Sequence, residues 1–130
     1  MVASTIDKMK MVDQKFFRKD LPAIEVGDFI KMKVKVMEAG KIRIHPFEGT
    51  IIKMIGNGSK STFTVRKISF GEGVERIFPI HSPVIESVQV VSKGVTKRAR
   101  LYYLRDRVGK KTRLRKDAPQ IVETAPAAAA

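Results

Sequence analysis

The sequence predicts a mostly β domain, a small closed or partly closed barrel with one helix before it and a basic extension after it. Three observations carry that reading. The branched aliphatics are 27 Ile and Val against 4 Leu in 130 residues, and side chains branched at Cβ fit a pleated sheet better than a helix. Beyond residue 28, apolar and polar residues alternate with a period of two. Short breaks carrying Gly, Asn, Ser and Pro separate the alternating runs, as brief strand connections require.

Residues 4–20 read as the helix. Ile6, Met9, Val12 and Phe16 recur at helical spacing. Ser4 with Asp7 three residues on resembles a capping box, with Asp in place of the usual Glu. Leu21-Pro22 ends the helix, because the residue before Pro avoids helical geometry. Asp7, Asp13 and Asp20 set this stretch apart from a transit peptide, and it holds no apolar signal core, so a cytoplasmic protein is expected.

The strands follow. Ile30, Met32, Val34 and Val36 alternate with Lys31, Lys33 and Lys35, which makes one buried and one positive face. Ile42-Arg43-Ile44-His45 repeats the pattern after Ala39-Gly40. Further candidates lie at 49–55, 62–68, 74–80 and 84–91, six in all. Gly56-Asn57-Gly58-Ser59, Gly71-Glu72-Gly73 and His81-Ser82-Pro83 separate them. Many short strands with brief connections suit a small barrel. The expected organisation is a helix at 1–22, a barrel at 23–92, a basic extension at 93–116 and a low-complexity tail at 117–130.

The net charge of +13 is unevenly placed. Residues 1–92 hold 15 bases and 10 acids, while 93–116 hold 11 bases and one acid, and 117–130 hold two acids. So dense a run of one sign attracts a polyanion, and like-charge repulsion leaves it extended or frayed without one. Lys93, Lys97, Arg98, Arg100, Arg105, Arg107, Lys110, Lys111, Arg113 and Arg115 are its candidate polyanion contacts. Tyr102 and Tyr103 lie among them. They can stack on a base or sugar, or close a core edge together with Leu101 and Leu104. Elsewhere, Lys60 tips the small loop at 56–61. Arg66, Lys67 and Arg76 can project together around Gly71-Glu72-Gly73, with Phe70 nearby for stacking.

Several function classes fall away. There is no Cys, so no disulfide or thiol chemistry. His45 and His81 show no metal-ligand spacing, and no metal or other cofactor is expected. His81 and Ser82 are adjacent in a loop, which rarely presents a base to a nucleophile, and Glu48, Glu75 and Glu86 are scattered, so no enzyme is expected. The glycine loops lack the Walker pattern. No run reaches the ~18 apolar residues of a membrane helix, and no membrane partner is expected.

The run Thr62-Phe63-Thr64-Val65-Arg66-Lys67-Ile68-Ser69-Phe70-Gly71, continued by Gly73-Val74-Glu75-Arg76-Ile77-Phe78-Pro79 and His81-Ser82-Pro83, closely resembles the bacterial large-subunit ribosomal protein nineteen family. Val26-Gly27-Asp28, Phe47-Glu48-Gly49 and the segment Lys97-Arg98-Ala99-Arg100-Leu101-Tyr102-Tyr103-Leu104-Arg105 are similar to the same family, and the likeness covers about residues 5–116. Pro46 and Glu72 depart from its pattern, standing where an apolar residue is usual. The resemblance implies an SH3-like barrel. It implies a structural protein that binds large-subunit rRNA at the interface between subunits, beside large-subunit proteins three and fourteen, and bridges to small-subunit rRNA. By position it assigns RNA contact to Arg66, Lys67, Arg76, Lys97, Arg98, Arg100 and Arg105. From composition alone, a free single-stranded nucleic-acid-binding module or translation regulator remains the alternative.

Overall fold

The computed structural model describes residues 4–107 and 109–115. Helix α1 spans Thr5–Phe16, and five strands follow: β1 (Phe29–Glu38), β2 (Lys41–Ile55), β3 (Thr62–Ser69), β4 (Glu72–Pro79) and β5 (Ile85–Ser92). Short 3-10 turns occupy Gly58–Lys60, Tyr102–Asp106 and Gly109–Thr112. The strands form one antiparallel sheet in the order β4-β3-β2-β1-β5.

The alternation in β1 does what its pattern dictates: Ile30, Met32 and Val34 are buried while the lysines between them are exposed. The two strand candidates at 42–45 and 49–55 are one fifteen-residue strand, so the sheet has five strands and not six. Pro46 lies inside it, opposite Lys33. β2 pairs with β3 only from Thr50 onward. At Pro46 the strand therefore has a neighbour on one side alone, the edge-like setting in which a missing N–H is tolerated.

One face of all five strands feeds a single core, with Met32, Phe47, Phe63, Phe78 and Val88 among its members. Phe47 and Phe78 sit on β2 and β4, yet their rings meet at 5.6 Å. Contact across the intervening β3 requires the sheet to curl. Among the described residues no ladder joins β4 to β5, so the architecture is a barrel left partly open. Leu21 and Ile24, from the segment after α1, pack on the same core.

Two hairpins turn on two residues with positive φ at both: Ala39 (48°) with Gly40 (77°), and Phe70 (51°) with Gly71 (80°). These are the angles of a type I′ turn. They close the pairs Glu38–Lys41 and Ser69–Glu72. The second turn thus falls one residue earlier than Gly71-Glu72-Gly73, and this sets the β3–β4 register.

Two expectations about the ends of the domain are corrected. The helix stops at Phe16 and not near residue 20, because the chain turns to meet the loop between β4 and β5. There Phe17 packs on His81 with ring centres 4.5 Å apart. The Arg18 backbone N–H donates to His81 Nδ1 at 3.2 Å, and its guanidinium donates to the carbonyls of Ser82 and Ile85. The capping box does not form. The first turn closes through the backbone instead, with the N–H groups of Asp7 and Lys8 donating to the Ser4 carbonyl at 2.9 and 3.1 Å. No side chain of α1 is buried.

The second correction concerns the basic extension, which folds back onto the sheet and is not extended. Leu101 and Leu104 are buried with Ile52 in a second cluster that Val26, Tyr103 and Leu114 complete. The Leu101 N–H donates to the Ile52 carbonyl at 2.8 Å, and Arg100 bridges Lys53. Three leucines spaced among the bases supply apolar burial that the charge count conceals. Gly94 passes so close to Gly27 that a Cβ there would sit 2.2 Å from the Gly27 carbonyl oxygen. The low-complexity tail expected at 117–130 lies outside the described residues.

Candidate nucleic-acid interface

Parity along a strand decides where the hairpin cations point. Arg66 and Lys67 are consecutive in β3, so their side chains leave opposite faces. Lys67 Nζ lies 4.7 Å from the Phe47 ring centre, and the Arg76 guanidinium lies 5.7 and 5.3 Å from the rings of Phe47 and Phe78. These two cations cover the aromatic edge of the main core. Arg66 stands on the other face, directly opposite Glu75, and donates to it at 3.0 Å. The three do not form the single patch that their order in the chain suggests. Phe70 is fully exposed at the hairpin tip.

Glu75 is the hub of the second face. It also accepts from Arg105 Nε and Nη2, each at 2.8 Å, in a two-pronged contact that ties the C-terminal segment to β4. The Arg105 hydrogen bonds, with its charge and Arg66 adding to them, hold the Glu75 carboxyl below its ordinary range, while partial burial pushes the other way. The same contact raises Arg105. The Arg105 guanidinium lies 4.7 Å from the Tyr102 ring centre, and Lys53 Nζ lies 5.6 Å from it. A hydrogen bond from Lys53 is the largest cause that lowers the Tyr102 phenol.

Tyr103 organises a second set. Arg98 and Arg107 lie 5.4 and 4.5 Å from its ring centre. Each tyrosine thus holds two cations in place, so their rings anchor the guanidinium groups as well as closing a core edge. Lys97, Arg98, Arg100, Arg105, Arg107, Lys110, Lys111, Arg113 and Arg115 are exposed along the segment, and Lys93 is half-buried. Lys93 and Arg113 line a groove of about 830 Å³ with Phe29, Thr50 and Arg66. Lys60 is exposed but belongs to a different place. Its loop is docked on α1 by Ser59 Oγ, which donates to Asp13 Oδ1 at 2.7 Å.

Sequence reasoning missed the role of Glu75 and the contribution of Lys53. The signal for Glu75 was present: a two-residue turn at Phe70-Gly71 places residue 75 opposite residue 66 by counting alone. His81 and Ser82 are engaged structurally. His81 accepts from Arg18, and Ser82 Oγ accepts from the Val84 N–H. Among the described residues, no group of three or more His, Asp and Glu is placed to hold a metal ion, and no helix is long and apolar enough to cross a membrane.

A curled antiparallel sheet with a lysine- and arginine-rich segment pinned across it defines a small, strongly basic β protein. Comparison with known proteins makes this specific. The family described as Ribosomal protein L19 matches residues 7–117. The chain is 50% identical over 107 residues to the large ribosomal subunit protein bL19 of Rippkaea orientalis, covering 82% of this chain and 89% of the relative. It is 53% identical over 104 residues to the protein of the same name from Synechocystis sp., covering 80% and 85%. The chain belongs to the ribosomal protein L19 family. It is accordingly a structural protein of the large ribosomal subunit and not an enzyme.

Proposed function

We propose that this protein binds large-subunit rRNA through residues 93–116 together with the hairpin and loop cations, and does so at the face of the subunit that meets the small subunit. The observation that carries the reading is the pinned segment: the bidentate Arg105–Glu75 contact and the two tyrosine–cation sets hold Arg98, Arg105 and Arg107, with Lys53 beside them, in a fixed array. A preset array loses less freedom on binding than a frayed chain. Contacts of this kind go mainly to phosphate, so they position the protein and carry little sequence information. Neutralising about eight phosphates gives log K against log salt a slope of roughly −6 to −7.

In the same reading, the neighbours are large-subunit proteins three and fourteen, the contact across the interface is a bridge to small-subunit rRNA, and the setting is the cytoplasmic ribosome. The family resemblance supports these assignments. Crosslinking in intact ribosomes, with RNA and protein sites both mapped, tests them. Crosslinks from Arg98, Arg107 and Arg113 to large-subunit rRNA are expected. Crosslinks from these positions to protein alone overturn the RNA assignment of the segment.

A further inference from the structure

We propose that the solvent face of β1 is a second RNA contact, in which Lys33 and Lys35 take the phosphodiester backbone of a duplex beside its minor groove. The proposal rests on the rRNA reading for its ligand, but it uses residues outside the C-terminal segment.

The alternation of β1 fixes the geometry. With Ile30, Met32 and Val34 buried in the core, Lys31, Lys33 and Lys35 all leave the opposite face. Positions two apart in a strand repeat every ~6.6–6.8 Å, so the lysines form a straight row. Lys31 is paired with Glu48 at 2.8 Å. Among the described residues, Lys33 and Lys35 have no acid within ion-pair reach. Their cross-strand neighbours, Pro46 and Ile44 on β2 and Ser87 on β5, are uncharged. Glu38 lies on the other face with Arg43 and His45, which it pairs at 3.5 and 3.0 Å.

The surroundings favour RNA over an acidic protein. Beyond its pairing with β5 and β3, the β1–β2 hairpin continues as a two-stranded arm. On the lysine face of that arm, Met37, Ile42 and Ile44 are 75%, 67% and 50% exposed. A two-stranded ribbon is marginal in water by itself, and large apolar side chains beside a lysine row suit a surface that offers both sugar and phosphate. The wide, shallow minor groove of an RNA duplex presents riboses between two phosphate ridges. At its other end the row runs into Phe29 and Glu48, which line the same groove as Lys93 and Arg113. The stripe and the C-terminal segment therefore lie on one continuous face.

The test uses the full chain and purified large-subunit rRNA, with affinity measured over a range of salt. Each duplex phosphate neutralised contributes about 0.9 to the slope. Lys33→Gln with Lys35→Gln is expected to make the slope shallower by about 1.8, and Arg107→Gln with Arg113→Gln serves as the control for the C-terminal segment. An unchanged slope in the lysine pair with a shallower slope in the arginine pair overturns the stripe and leaves the rRNA reading standing. Unchanged slopes in both overturn both. Ile42→Ser with Ile44→Ser is expected to weaken binding severalfold at every salt concentration without altering the slope. Undiminished rRNA binding by the lysine pair, combined with failure to enter large subunits, identifies a protein-facing surface and overturns the proposal. Both lysines are exposed, so an unchanged melting temperature is the accompanying check on folding.

Discussion

Arg105 donates from Nε and Nη2 to the two carboxylate oxygens of Glu75, each at 2.8 Å, and so fastens the C-terminal segment to β4. Glu75 also receives Arg66, so one carboxylate orders two guanidinium groups. Glu75→Gln removes the charge and one of the acceptors while keeping the volume. The expected result is a fall of roughly 2–4 °C in melting temperature, kept small by the exposure of Arg105. Faster tryptic cleavage at Arg98, Arg100 and Arg105 accompanies it. Arg105→Lys reproduces most of the effect, because an ammonium cannot supply the two-pronged fork.

The same contact sets a pH dependence. The Glu75 carboxyl sits below its ordinary value of 4.5, chiefly through the Arg105 hydrogen bonds. A carboxylate whose folded pKa is depressed contributes stability that is present above its unfolded pKa and lost as pH falls through the folded pKa. The difference in urea midpoint between the wild type and Glu75→Gln is therefore constant above about pH 5 and narrows below it. A difference that stays constant down to pH 3 excludes the ion pair as its source.

The C-terminal segment is expected to unfold together with the sheet on which it packs. Leu101 is buried against Ile52 and receives no compensation from solvent when truncated. Leu101→Ala is expected to cost about 2–4 kcal/mol and to lower the single cooperative transition of the whole domain. A lost C-terminal transition with an unchanged main one separates the segment from the core. A chain cut after Ser92 leaves Ile52 bare, so its RNA affinity reports folding as well as contact.

These particulars show what the sequence revealed and where it stopped. The faces of β1 were legible from Ile30 to Val36, because strict alternation with lysine has one solution, and the strand runs on to Glu38. Four of the five strands were found within a residue or two, and β2 was divided because the two runs of its pattern, 42–45 and 49–55, lie on either side of Pro46. The C-terminal segment was legible as a dense run of bases. A core edge at Leu101 and Leu104 was among its readings, but the partner was not legible, because Ile52 and Val26 come from distant parts of the chain. The hairpin cations were assigned to the right turn but grouped wrongly: period two sends Arg66 one way and Lys67 the other. Glu75 looked like a scattered acid until the register brought two arginines to it.

Close packing between β2 and β3 makes Gly49 a sensitive position. A Cβ there would meet the Arg66 carbonyl oxygen at 2.5 Å and Val65 Cγ1 at 2.8 Å. Backbone cannot swing aside, so Gly49→Ala is expected to destabilise by about 2–3 kcal/mol through forced strand separation. Gly40→Ala is the comparison. It has positive φ (77°) but open space around it, so only the left-handed backbone cost of about 1 kcal/mol applies. Equal losses at the two sites, read from urea unfolding, discard the steric explanation for Gly49.

Phe70 holds φ at 51° with its ring wholly in solvent. A bulky side chain in the left-handed region is strained, and nothing among the described contacts offsets that cost. Type I′ turns favour Asn followed by Gly, and Gly71 is already in place. Phe70→Asn is therefore expected to stabilise the isolated protein by about 1 kcal/mol, read as a higher urea midpoint with an unchanged slope. The gain comes from the backbone and not from lost ring contacts, so Phe70→Gly stabilises less, because it also adds freedom to the unfolded chain. Phe70→Ala, which keeps a Cβ at the same φ, leaves stability nearly unchanged. That ordering, Asn above Gly above Ala, separates relief of backbone strain from a simple effect of removing an exposed aromatic ring.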